Sequence, residues 1–122
     1  MSYYLQAFIC RQIDANSFTN NFDRASKVDI GQGLNLIPMT DELFEQINSS
    51  TVSNPVDKFE YLTENIESQI LKIIGDAKVA YVEAEYFGGK GGQIAIIWED
   101  KKRVGLLQHG KERINQVLRI LA

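Results

Sequence analysis

A chain of 122 residues, 44% hydrophobic and 24% charged, can build one domain around one core, and it is too apolar to be disordered throughout. No run of about 18 apolar residues occurs, so no membrane-spanning helix is expected. The net charge of −3 conceals an asymmetry: residues 1–100 carry fifteen acids against seven bases, whereas 101–122 carry six bases and a single acid, Glu112. An acidic body disfavours non-specific attraction to nucleic acid and favours basic partners. The basic tail reads most simply as a solvated helix face.

Cys10 is the one cysteine, so no internal disulfide can form. The N-terminal sequence has neither a basic n-region nor a small-residue cleavage site, and no signal peptide is expected. Both observations favour a reducing cytoplasm.

Residues 3–13 read as a strand with apolar side chains on both faces, which suggests burial on both sides. In 14–24, Phe18 and Phe22 lie four apart among several asparagines; a short helix and a structured loop both fit. Val28, Ile30, Leu34 and Leu36 look strand-like around Gly31 and Gly33, and Pro38 argues against a central strand there. Thr40 is a good N-cap for a helix to about Asn48, with Asp41 and Glu42 at the positive end of its dipole. A turn-rich linker, 49–55, follows. The clearest helix starts near Thr63: Leu62, Ile66, Ile70, Ile73 and Ile74 recur at helical spacing, with Glu64, Glu67 and Lys72 read as outward and Gly75 as the stop.

The stretch from Ala80 to Trp98 reads as a hairpin around a glycine-rich loop, Gly88 to Gly92. On its first strand Ala80, Val82, Ala84 and Tyr86 face one way and Tyr81, Glu83, Glu85 and Phe87 the other; the small alanines would let a helix approach closely. Asp100 and its lysine neighbours form a polar turn into a third strand, 103–108. Residues 110–122 form a helix with Ile114, Val117, Leu118 and Leu121 on one face. Short turns between successive strands imply antiparallel pairing, so the expected fold is α+β: one domain, an antiparallel sheet with helices packed on one face as a two-layer sandwich.

No complete catalytic constellation is present. Glu83 and Glu85 stand about 7 Å apart at two strand steps and could serve a small carboxylate-dependent hydrolase, given a dry pocket that keeps one of them protonated. A metal site would want more ligands than the lone His109 offers, so no metal and no cofactor are expected. The glycine loop leads into a strand, not a helix, and so lacks the context of a phosphate-binding loop. Nothing brings Cys10 and His109 together as nucleophile and base. Tyr3, Tyr4, Tyr61, Tyr81, Tyr86, Phe87 and Trp98 are more rings than one helix layer would be expected to cover, and exposed tyrosines suit interfaces; Trp98 fits the core better. A generic scaffold, or a homodimer formed through a sheet edge, is the remaining alternative.

The elements A-Y-x-E-A-E-Y-F-G-G (Ala80 to Gly89), G-x-x-x-x-x-W (Gly92 to Trp98) and I-N-x-x-L-R-x-L (Ile114 to Leu121) resemble small bacterial immunity proteins of contact-dependent growth inhibition and related polymorphic-toxin systems. The resembling region runs from Tyr61 to Leu121. It implies a cytoplasmic, non-enzymatic monomer or weak dimer that binds a sibling toxin domain and blocks its active site. The implied toxin is a basic nuclease, for instance an RNase similar to the EndoU class; neither nucleic acid nor membrane is an implied partner. The candidate contact residues are Asp41, Glu42, Glu45, Asp57, Glu60, Glu64, Tyr81, Glu83 and Glu85.

Overall fold

The computed structural model describes residues 2–48, 53–56, 59–87, 90–110 and 113–121. For 2–4, 85–87, 90–91, 107–110 and 113–115 the backbone path alone is described. The elements, in chain order, are β1 (Ser2–Arg11), α1 (Gln12–Asn21), β2 (Val28–Gly31), β3 (Leu34–Pro38), α2 (Asp41–Asn48), α3 (Glu64–Ile74), β4 (Val79–Phe87), β5 (Lys90–Glu99), β6 (Lys102–Gly110) and α4 (Arg113–Leu121). The strands form one sheet in the order β2-β3-β1-β4-β5-β6, antiparallel at every pairing.

Local chemistry explains most boundaries. Thr40 Oγ1 accepts the Leu43 N–H at 3.1 Å and Thr63 Oγ1 accepts the Ile66 N–H at 3.2 Å, so both helices open on a side-chain cap. α3 stops at Gly75, whose φ is +60°. α1 has no side-chain cap and buries only Ala15 and Phe18; the Phe18 ring, 5.0 Å from Phe8, ties it to the sheet. The glycine-rich stretch is shorter as a loop than expected. Lys90, Gly91 and Gly92 are strand, paired with Phe87, Tyr86 and Glu85, and the tip at Gly88 and Gly89 lies outside the described residues.

The α+β class and the antiparallel sheet match the sequence expectation. The arrangement of helices on one face holds for α1, α2 and α3 but not for α4. Phe8, Cys10, Ile37, Tyr81, Ile94, Ile96 and Trp98 point toward α1–α3, while Ala7, Ile9, Leu34, Ala80, Val82, Ala95 and Ile97 point toward Val117 and Leu121 of α4. The physical cause is visible in β1, β4 and β5. Their residues are apolar on both faces, so both faces need cover, and Ala7, Ala80 and Ala95 leave room for α4.

The larger core is aromatic at its centre. Phe8 lies 4.9 Å from Tyr81 and 6.4 Å from Trp98, and Phe59 lies 5.6 Å from Tyr81. Each such fully buried ring contributes about 1.5–3 kcal/mol by removal from water. Among the described residues, no helix is long and apolar enough to cross a membrane.

Candidate functional site

The structure sorts the candidate residues into two sets. Asp41, Glu42 and Glu45 on α2, Glu60 in the segment before α3, and Glu64 at the start of α3 are all exposed. None of the five forms an ion pair with another described residue. Tyr81 and Glu83 are buried, at 0% and 8% exposure, and so lie beneath a surface instead of on it. The reason is the strand face. The side of β4 that carries Tyr81 and Glu83 is the side that faces α1–α3, and the segment before α3 covers them, Phe59 on Tyr81 and the 60–62 main chain on Glu83. The Glu85 side chain and all of Asp57 lie outside what is described.

Glu83 has a specific task there. Its Oε1 accepts the Glu60 N–H at 2.6 Å, and its Oε2 accepts the Tyr61 and Leu62 N–H groups at 2.9 and 3.3 Å. The Tyr81 hydroxyl donates to the same Oε2 at 2.8 Å. Three consecutive amides and the phenol thus converge on one buried carboxylate and occupy most of its acceptor capacity. A carboxylate so engaged is a poor general base, which removes support from the hydrolase reading. Burial and the adjacent Glu83 charge push the Tyr81 phenol far above its ordinary range.

The segment that Glu83 holds is tied on its other side as well. Val56 N donates to Leu62 O at 2.8 Å, Glu64 N donates to Asn54 O at 2.9 Å, and Pro55 bridges Thr63. Asn65 Nδ2 donates to the backbone and side-chain oxygens of Asn48 at 3.1 and 3.0 Å, joining the start of α3 to the end of α2. Tyr61, 37% exposed, meets Phe44 of α2 edge-to-face with ring centroids 6.1 Å apart. Helical spacing places Asp41 and Glu45 on the Phe44 side of α2, with Glu42 about 100° further round. Asp41 and Glu45 thus flank Phe44 along α2, and Glu60 and Glu64 lie one residue before and three after Tyr61 in the chain, all four exposed.

The sequence marks Tyr61 as an exposed aromatic but carries no sign of its pairing with Phe44. It also places Glu67 outward, whereas Glu67 is 8% exposed. Glu67 accepts the Trp98 indole N–H at 2.8 Å and the Arg103 Nε and Nη2 groups at 2.6 Å each, which explains its inward turn. Trp98 is fully buried, as expected.

Other features carry less chemistry. Cys10 is buried, and desolvation followed by the nearby Asp14 charge pushes its thiol up to about 12, the reverse of an activated nucleophile. An open cleft of about 280 Å³ is lined by Arg11, Ile13, Asp14, Asp76, Ala77, Lys78 and Glu99, with Lys78 and Glu99 paired at 3.8 Å. Among the described residues, no group of three or more His, Cys, Asp or Glu side chains could hold a metal ion. β2 and β6 are the edges of the sheet, and β6 opens on the exposed Lys102, a charge that opposes edge-to-edge pairing there. Comparison of the chain with protein-family models, curated proteins and solved structures found no match.

Proposed function

We propose that this chain is an immunity protein that binds a cognate, contact-delivered bacterial toxin domain and blocks its active site. The observation that carries the reading is the Tyr61–Phe44 pair on two segments that also carry exposed Asp41, Glu45, Glu60 and Glu64, acids with no ion-pair partner among the described residues. Aromatic anchors within a charged rim are the usual anatomy of a protein-binding surface. The resemblance of 61–121 to immunity proteins supports the same reading.

The charge selects the class of toxin. A nuclease surface that takes a phosphate backbone is basic, and an acidic face complements it and speeds encounter. Within that class the reading is an RNase similar to the EndoU class. The inhibitor performs no chemistry, needs no cofactor, and works in the cytoplasm as a monomer or weak dimer.

The test is co-expression with a toxin domain sought among the genes neighbouring this one. Stoichiometric co-purification and loss of RNA cleavage are expected. A toxin that stays fully active in an excess of folded protein would overturn the proposal.

A further inference from the structure

We infer that Tyr61 is an arginine-receiving anchor and that buried Glu83 is the residue that positions it. The inference rests on the proposed binding of a basic partner and names the chemistry of the contact. Taking a carboxylate out of water is unfavourable unless it is fully hydrogen-bonded. Glu83 meets that condition by collecting the amides of Glu60, Tyr61 and Leu62 together with the Tyr81 hydroxyl. Water could have satisfied the amides of an ordinary surface turn. Here a core carboxylate fixes the main chain on both sides of one exposed ring.

Two features identify the occupant. Tyr61 leans on Phe44 at 83° and keeps over a third of its surface open, so it offers aromatic area to a ligand. Exposed Asp41 and Glu45 on the Phe44 helix, and Glu60 and Glu64 on the Tyr61 segment, supply negative charge with no ion pair among the described residues. A planar guanidinium satisfies both, because it stacks on an aromatic ring while its edge donates to carboxylates. An ammonium matches only the charge, and an apolar side chain only the ring. The fixed main chain lowers the ordering entropy lost on binding, which is the thermodynamic role assigned to Glu83.

The experiment is an amide-resolved NMR titration of the full chain with N-acetyl-arginine amide, N-acetyl-lysine amide and N-acetyl-norleucine amide. Arginine is expected to shift Phe44, Glu45 and 60–64 in a saturable way. Lysine should bind several-fold more weakly, and norleucine should leave these residues unmoved. Tyr61→Leu, which keeps an apolar side chain at an exposed position, should weaken arginine binding at least tenfold. Glu83→Gln should weaken it several-fold and accelerate hydrogen exchange at 60–62. Glu67→Gln, a destabilising variant whose side chain bonds Trp98 and Arg103, should bind arginine like the parent, which separates positioning from general loss of stability. Arginine shifts spread evenly over Asp23, Asp29, Asp76 and Asp100, or a Tyr61→Leu variant that binds as the parent does, would overturn the anchor. A toxin domain that binds Tyr61→Leu unchanged would overturn the anchor and leave the immunity reading standing. Arginine binding at Tyr61 without any toxin binding would do the reverse.

Discussion

The guanidinium of Arg103 grips Glu67 with two bonds of 2.6 Å, Nε to Oε2 and Nη2 to Oε1, and so joins the sheet-edge strand β6 to the inner side of α3. Trp98 adds its indole N–H to Oε2 at 2.8 Å. Hydrogen bonds to charged groups contribute about 1.5–3 kcal/mol each at buried sites, and the half-exposed Arg103 end reduces that figure here. Glu67→Gln is expected to destabilise the protein by about 2 kcal/mol, measured by urea unfolding. Arg103→Lys should also destabilise, by less, because an ammonium cannot reproduce the two-pronged contact.

The same cluster sets an acid limb. Burial alone would raise the Glu67 carboxyl, but the Arg103 and Trp98 hydrogen bonds and the Arg103 charge outweigh it and hold the group below its ordinary value of 4.5. A carboxyl lowered on folding contributes stability above the unfolded pKa and loses it as pH falls through the folded one. Stability of the parent should therefore fall more steeply below about pH 4.5 than that of Glu67→Gln. Unfolding midpoints taken between pH 3 and 7 check this. Asp14 works in the opposite direction: desolvation raises it, Arg11 opposes that, and Asp76 adds to it. Asp14→Asn should accordingly raise stability at neutral pH, where the parent holds a disfavoured charge.

What the sequence allowed and what it hid divide along contact range. The alternation of side chains along β4, the caps at Thr40 and Thr63 and the stop at Gly75 rest on periodicity and on residues a few positions apart, and these are legible. Glu67 is not. Its type suggests solvent, and the partners that bury it lie 31 and 36 residues further along, at Trp98 and Arg103. Glu83 was misplaced for the same reason, since no local pattern announces that the amides of 60–62 will arrive beneath it. α1 is ambiguous because it lacks a side-chain cap and is held by contacts distant in sequence, Phe18 on Phe8 and the Gln12 N–H on Gly33 O. The side taken by α4 depended on which strand faces remained uncovered, a property of the whole sheet.

Cys10 should be chemically silent in the folded protein. Its thiol is buried and pushed up to about 12 by desolvation and then by Asp14. An aromatic disulfide reagent at pH 8 is expected to leave it unmodified for as long as the chain stays folded. In denaturing urea one thiol per chain should react at once. Rapid modification under native conditions would contradict the burial of β1.

Charge on the proposed face should govern the rate of encounter. Glu45→Lys combined with Glu64→Lys alters two exposed side chains, so the cost to stability should stay at about 1 kcal/mol, set by the reversed charge in the first turn of α3. Association with a basic toxin domain should slow about tenfold or more at low salt, and added salt should shrink the difference. Stopped-flow association at two ionic strengths measures both effects. Equal reversals at Asp29 and Asp100, away from the aromatic pair, supply the comparison.

The turn between β5 and β6 holds a recoverable strain. Asp100 and Lys101 have φ angles of +57° and +63°, the pair of left-handed positions that a two-residue antiparallel turn requires. An aspartate tolerates this conformation by bonding locally, but a lysine gains nothing in return. The flanking strands nevertheless impose it, because Glu99 pairs with Lys102 directly across the turn. Lys101→Gly removes the Cβ that opposes the left-handed conformation and should stabilise the protein by about 1 kcal/mol, net of the greater freedom glycine has in the unfolded chain. Lys101→Val adds branching where the backbone is least tolerant and should destabilise by a similar amount. Urea unfolding of the two variants beside the parent decides the matter, and a glycine variant less stable than the parent would show that the lysine side chain makes a contact worth more than the strain.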